Sequence, residues 1–354
     1  MPGPLYIPVL PTRDNATGAY RDLAPEIRDR VSALWTVPPG VETDPTLLER
    51  KLRKAIGPAA LAQRHSAGWL DAPFGDQSAA PLADVLYEYW TTSPLRPVTG
   101  PERPREQQTG AARAARESGN GLGIRVQVLG RWDDAVASAT HKVLDLVGAN
   151  ADGLPLDLLL DLHRVFDERH DAGKEALRAL DALHPLADWR DVATLSGGYP
   201  DQPGEVTAYG VLGEAARADW ELWHELRHSG RDYAPLIRYG DYAALSARGI
   251  ATTYTGNGGP PWGILRYTTD RAFLLVKVQA RGDGRGDSIR AAAQLLTTQD
   301  DYRGPGFSWG DRWLRDCALG SGSKGTGTAS TWSKAGNSQH MTYVARRVRD
   351  MGAE

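Results

Sequence analysis

Apolar and polar positions alternate along this chain on two scales. Short β-type runs occupy residues 5–12, 32–39, 68–73, 95–100, 123–130, 155–163, 191–198 and 235–242. Between them lie longer polar stretches with apolar residues at helical spacing, as in residues 46–62, where Leu47, Leu48, Leu52, Ile56 and Leu61 share one face. Residues 81–90 and 215–228 read as further helices. Strands alternating with helices predict a parallel sheet. Eight such units within residues 1–248 predict an α/β fold, a (β/α)8 TIM-like barrel. The run 155–163 is nearly all apolar apart from Asp157, Asp161 and the closing His163, as a strand covered on both faces should be.

Residues 249–354 have another texture. Residues 262–267 and 272–278 read as a hairpin around Asp270 and Arg271, and residues 288–299, 311–319 and 341–348 as helices. Residues 320–327 form a glycine/serine loop. This part predicts a C-terminal α+β annex packed on the barrel, with boundaries near Gly249 and at residues 256–261.

Composition narrows the class. With 354 residues, 41% hydrophobic and 24% charged, the chain is an ordinary folding sequence. A net charge of −3 gives no overall pull toward nucleic acid or membrane, although a local basic patch stays open. The single cysteine, Cys317, rules out an intrachain disulfide. The opening residues lack the basic segment and apolar run of a signal peptide, and no run of about 18 apolar residues predicts a membrane span. The expected compartment is the cytoplasm. The 11 Trp residues are expected mainly in the core.

In a barrel, inward side chains at the carboxyl ends of the strands converge on one mouth. The polar residues placed there by the runs are Arg13, Thr36, Asp71, Thr99, Asp161, His163, Ser196, Arg238, Asp241 and Tyr242. Asp161 and His163 lie two apart on one strand and so point the same way; together they could share a proton or a metal. The plainer alternative pairs Asp161 with Arg238 across the barrel and leaves His163 as a helix cap. Asp241 and Tyr242 follow Gly240, which permits a tight turn or close ligand approach; a simple capped turn is the alternative. Arg266 and Tyr267 on the hairpin, with Trp332, Gln339 and His340, could fold over the mouth, where Arg266 would suit a phosphate or carboxylate. Lys324 is the one point charge of the glycine loop. That loop departs from a Walker A motif because glycine follows the lysine and no strand precedes it.

His224, Glu225 and His228 match the zincin spacing, in which two histidines one helical turn apart hold zinc and the glutamate acts as base. The setting argues against it. This helix ends away from the mouth of a barrel, Gly230 closes it, and no third ligand follows at a familiar spacing.

The order of several short motifs resembles the Beta protein family, named for a satellite-phage protein. They are Tyr6, Ile7, Pro8, Val9, Leu10 and Pro11; Leu34 to Pro39; Leu158 to Asp161; Gly240, Asp241 and Tyr242; Leu265, Arg266 and Tyr267; and the tail Trp332 to His340. The last motif in many relatives carries paired histidines where this chain has Gln339 and His340, which weakens a metal role for the tail. The resemblance implies a bacterial or mobile-element protein, since relatives occur on prophages and some in gene clusters associated with phage defence. It brings no catalytic residues with it.

Three functions remain open. The first is a cytoplasmic antiphage protein whose barrel mouth binds, and as a phosphodiesterase or nuclease-type enzyme would hydrolyse, a phosphate-bearing ligand such as a nucleotide or nucleic-acid end. Asp161, His163 and Asp241 would carry the chemistry, with a divalent metal as the candidate cofactor. Arg13, Arg238, Tyr242, Arg266, Tyr267, Lys324 and His340 would hold the ligand. The second is a non-enzymatic sensor that recognises a phage protein or a protein encoded by a neighbouring defence gene, with no membrane role. The third is a zinc metalloprotease through His224, Glu225 and His228.

Overall fold

A computed structural model describes residues 6–39, 44–73, 84–86, 88–89, 93–148, 153–166, 169–250 and 259–351. Eight parallel strands close into a barrel: β1 (Tyr6–Pro11), β2 (Leu34–Thr36), β3 (Gly68–Asp71), β4 (Leu95–Thr99), β5 (Leu122–Gln127), β6 (Leu156–Arg164), β7 (Trp189–Gly197) and β9 (Ile237–Asp241). β1 pairs with β9 in parallel, Ile7 opposite Gly240, and this pairing shuts the ring. The helices lie between the strands, as in Pro45–Ala62, whose first turn is capped by Asp44 accepting from the Leu47 amide at 2.9 Å. The helix expected at residues 81–90 and the boundary at 256–261 lie largely outside the described residues.

The barrel interior has three layers. Its middle is apolar, made of Ile7, Val9, Leu34, Trp69, Val98, Leu159, Ala193 and Leu195. Two glycines make room there. A Cβ at Gly123 would come within 2.9 Å of the Trp69 ring, and one at Gly240 within 2.5 Å of the Leu195 side chain. Below, at the amino ends of the strands, Asp157 accepts from the Trp69 indole at 2.8 Å and pairs with Arg96 and Arg190 at 3.0 and 2.7 Å. Above, at the carboxyl ends, a polar layer closes the barrel.

A strand absent from the expected pattern, β8 (Leu212–Ala216), leaves the barrel. It pairs with β11 (Ala272–Gln279), which pairs with β10 (Trp262–Thr268), to give a three-stranded antiparallel sheet. Residues Leu212 to Ala216 are therefore strand, and the following helix is Ala218–Arg227 rather than 215–228. One face of the sheet, with Ile264, Phe273 and Leu275, packs with Tyr199 and Ala244 of the barrel loops. The other, with Leu265, Tyr267, Leu274 and Val276, packs on helices Arg285–Thr297 and Trp309–Ala318. The last helix runs over Ala329–Met351, well beyond the expected 341–348, and packs against the helix Asp14–Arg21. No helix among the described residues is long and apolar enough to cross a membrane.

Within the annex core, Asp311 is fully buried and accepts from Tyr267 and Ser308 hydroxyls at 2.8 and 2.5 Å. Burial pushes its carboxyl up to about 6, against those hydrogen bonds. A carboxyl raised on folding contributes stability that is fully present below its unfolded value near 3.8 and lost as pH rises through about 6. The loss corresponds to roughly 3 kcal/mol. Asp311→Asn cannot titrate. The stability of the wild type relative to Asp311→Asn should therefore fall by about that amount between about pH 4 and pH 7 in urea unfolding, and a flat difference would contradict this assignment.

Candidate functional site

The polar layer at the mouth is built by strand parity. Register places Gly123, Leu159, Leu195 and Gly240 inward, so Arg125 and Asp161, two residues on along their strands, also face in. Asp71 ends β3, and Tyr242 follows β9. Arg125 donates to Asp71 at 2.6 Å, to Asp161 at 2.8 and 3.2 Å, and to the Tyr242 hydroxyl at 3.1 Å. Tyr242 donates to the other Asp161 oxygen at 2.8 Å. Arg103, from the loop after β4, reaches both Asp71 oxygens at 3.2 Å. All four members of the layer are buried. Burial pushes the Asp161 carboxyl up, but the charges of Arg125 and His163 and the hydrogen bonds from Tyr242 and Arg125 outweigh it and hold it below the usual value. Burial, then the Asp161 charge, pushes the Tyr242 hydroxyl well up.

His163 does not stand beside Asp161. A register shift between Asp161 and His163 opposes them to Leu195 and Ser196, and the His163 backbone turns to a φ of 55°. The Asp161 carboxylate accepts the His163 amide at 2.8 Å and supports this left-handed turn. Such a conformation costs a non-glycine residue about 1–3 kcal/mol and is frequent at functional sites. The turn puts the imidazole at the wall of a cavity of about 410 Å³ outside the polar layer. Burial, opposed by the Asp161 charge, lowers the His163 pKa, so the ring is neutral near pH 7.

Three arginines, Arg164, Arg169 and Arg248, also line this cavity, and none of the described lining residues is acidic. Arg169 spends one nitrogen on the backbone carbonyls of Leu162 and Val128, at 2.8 and 3.2 Å, tying the ends of β6 and β5 together. Its other two nitrogens are buried with no hydrogen-bond partner, and burial lowers its pKa. Arg164 and Arg248 converge on one carboxylate, Asp201, at 2.8 and 3.3 Å. Ser246 donates to Asp201 as well, so this residue joins the loops after β6, β7 and β9. The remaining wall is Gln127, Leu129, Leu162 and Phe166.

The other expected site residues lie elsewhere. Asp241 pairs with Pro8 on the outer face of the barrel, not in the mouth. It accepts from Tyr6 at 2.5 Å, from Tyr239 and the Ala243 amide at 2.8 Å, and meets His340 Nε2 at 2.8 Å. Tyr239 also bonds Asp219, which pairs with buried Arg217 at 3.2 Å. His340 Nδ1 meets the Thr268 hydroxyl at 2.9 Å, and the Gln339 amide exchanges two bonds with the Thr268 backbone. This buried cluster joins barrel to annex. Arg238 faces inward at the amino end of β9, 3.9 Å from Asp191, at the bottom of the barrel. The pairing of Asp161 with Arg238 is therefore replaced by Asp161 with Arg125.

Arg266 donates to the Ala244 carbonyl at 2.6 Å and lies over the Tyr199 ring, between annex and barrel loops. Tyr267 is buried in the annex core, where it also accepts from the Arg303 amide at 2.9 Å. Arg13 precedes the helix Asp14–Arg21 and does not line the cavity. Thr99 faces the helix Arg105–Ser118 and bonds Gln107, and Ser196 shares the outward register of Asp241. Lys324 frames a separate small cleft of about 170 Å³ with Arg312, Trp309 and Asp316.

The zincin-like helix holds no zinc-binding geometry. His224 and His228 stack face to face, and His228 Nδ1 meets the His224 carbonyl at 2.7 Å. The Glu225 carboxylate turns against Gly173 on the neighbouring helix. Among the described residues no three His, Cys, Asp or Glu side chains are placed to hold a metal ion.

Arg164, Arg169, Arg248 and Phe166 lie at or beyond the strand ends, where periodicity carries no signal: Arg164 closes β6, and Arg248 belongs to the short helix Ala247–Ile250. Arg125 did carry a signal: a charged residue at an inward position of a strand that is otherwise buried. A search of curated proteins returned no match. The Beta protein family model matches residues 6–346, spanning the barrel and nearly all of the annex, and the chain belongs to that family.

Proposed function

We propose that this protein binds a phosphate-bearing ligand, a nucleotide or nucleic-acid end, in the cavity at the carboxyl-terminal mouth of its barrel. The observation that carries the reading is the lining: three arginines and a neutral histidine gathered at one wall of the mouth. Arg169 adds a positive charge behind that wall, its guanidinium anchored on the Leu162 and Val128 carbonyls. Asp201 supports the same reading, because two arginines that converge on one carboxylate are spaced for one oxyanion. A role in antiphage defence follows the family resemblance rather than the geometry.

For hydrolysis, His163 is the residue placed to move a proton, with Asp161 positioning it through the backbone. The sensor reading also has specific support. Both Asp161 oxygens are engaged by Arg125, Tyr242 and the His163 amide, which leaves that carboxylate no role as base or metal ligand.

Calorimetry with nucleotides and short phosphorylated DNA tests the binding. Arg248→Ala should weaken it about tenfold, the usual scale of one charge-assisted contact. Asp201→Asn, which removes the internal counter-anion, should tighten it by a similar factor. Unchanged affinity in both variants would move the ligand out of this cavity. Turnover that is lost in His163→Ala while binding survives would mark an enzyme; binding without turnover in the wild type would mark a sensor. Phage challenge of cells carrying Arg248→Ala tests the defence role.

A further inference from the structure

The annex carries a second hollow, built where its helix Trp309–Ala318 ends. The Gly320 amide bonds the Cys317 carbonyl at 3.1 Å and the Ser321 amide bonds the Asp316 carbonyl at 2.8 Å, with Gly320 left-handed at a φ of 69°. This Schellman turn reverses the chain and lays residues 321–325 alongside the helix they have just left. Two further turns fix the loop, from the Gly325 amide to the Gly322 carbonyl at 3.4 Å and from the Gly327 amide to the Lys324 carbonyl at 3.0 Å. Arg285 and the Trp332 indole hold its far end at Thr326, at 3.1 and 2.8 Å. Trp309, Arg312, Trp313 and Asp316 stand at i, i+3, i+4 and i+7, so one face of the helix forms the wall opposite the loop. The cleft between them holds about 170 Å³.

Trp313 is buried at the floor, and Trp309 is half-buried at the side, its ring held by Lys334 at 4.2 Å. Arg312 and Lys324 are exposed, and neither forms an ion pair with a described residue, whereas Arg315 and Lys334 beside them pair with Asp316 and Asp22. Asp316 meets Arg315 through Oδ1 at 3.0 Å and turns Oδ2 toward the loop at Gly322. Two cations, one acceptor and two indoles around one hollow complement a molecule that joins a carboxylate, an N–H donor and an aromatic group on a single carbon. Asp316 disfavours a phosphate dianion, and the cleft is smaller than the roughly 300–1,000 Å³ of larger ligand sites, which leaves no room for a nucleotide.

We propose that this cleft binds an α-amino acid unit with an aromatic side chain, free or as the carboxyl end of a peptide. Its carboxylate lies between Arg312 and Lys324, its nitrogen donates to Asp316, and its ring packs on Trp309 and Trp313.

Calorimetry on the full chain would compare L-phenylalanine, its carboxamide, glycine, inorganic phosphate and the tripeptide glycyl-glycyl-phenylalanine. Phenylalanine should bind at least about tenfold more tightly than its carboxamide or glycine, the scale of one charge-assisted contact or one buried ring. Arg312→Met and Lys324→Met should each weaken phenylalanine binding about tenfold and leave the melting temperature unchanged, since both side chains are exposed. Tighter binding of the tripeptide than of phenylalanine assigns the cleft to chain ends; any other order of the two assigns it to free amino acids. Equal affinity for phenylalanine and its carboxamide, phosphate binding as tight as that of phenylalanine, or affinity untouched by both substitutions overturns the proposal. So does a wild type that binds neither phenylalanine nor the tripeptide.

Discussion

Arg125→Met should destabilise the protein by about 3–5 kcal/mol, the cost of stripping one partner from a buried ion cluster. Arg125 lies at the centre of the polar layer and donates to Asp71, Asp161 and Tyr242. Its removal leaves two buried carboxylates facing one hydroxyl, with Arg103 left to pair with Asp71 alone. Against a total stability of about 5–15 kcal/mol, that is a large fraction. The pH dependence has a defined sign. In the wild type the Asp161 carboxyl is held below its ordinary value, so its contribution is present above the unfolded value and lost as pH falls through the depressed one. Without Arg125, burial is no longer outweighed and the same carboxyl rises. Protonation then relieves the variant, so the gap between variant and wild type should narrow as pH falls from about 7 toward about 4. Urea unfolding across that range checks both points. A loss below about 1 kcal/mol at neutral pH, or a gap that widens in acid, would mean that the layer is not what closes the barrel.

The eight expected runs map onto the eight barrel strands because a parallel strand buried on both faces must be apolar. Side-chain direction was harder to read. Asp241 and Tyr242 are adjacent and cannot both face the mouth, yet which one turns inward depends on the register of Ile7 with Gly240, a pairing across nearly the whole chain. Asp161 and His163 should share a face by spacing, and the register shift between them breaks that rule. Arg238 does face inward, but at the far end of its strand. β8 is made of Leu, Gly, Glu and Ala, weak strand formers that pair because β11 offers an edge. The final helix was read too short for a related reason. Asn337, Ser338, Gln339 and His340 are polar and fully buried, so the helix has no apolar stripe to announce its first three turns. Chemistry placed in loops, and polar groups placed in cores, are what periodicity leaves out.

Asp241→Leu should lower stability by about 3–5 kcal/mol without altering ligand affinity in the molecules that remain folded. The substitution orphans the hydroxyl of Tyr6 and the Nε2 of His340, both buried where water cannot replace the lost acceptor, and leaves the Tyr239 hydroxyl to Asp219 and Arg217 alone. It also frees the Ala243 amide, which holds a second left-handed turn, with φ of 51°, by the same carboxylate-to-amide contact that supports His163. Burial raises the Asp241 carboxyl, but His340, Arg217 and the Tyr6 hydroxyl hold it below its ordinary range. The wild type should thus lose this contribution in acid, and Asp241→Leu should lack that part of the acid sensitivity. The cluster sits between β1, β9, the hairpin and the last helix, so barrel and annex should melt in one transition in the wild type and separate, if at all, in the variant. Calorimetric unfolding alongside ligand titration at low temperature distinguishes this cement from a catalytic residue. A variant as stable as the wild type but unable to bind or turn over ligand would return Asp241 to the active site.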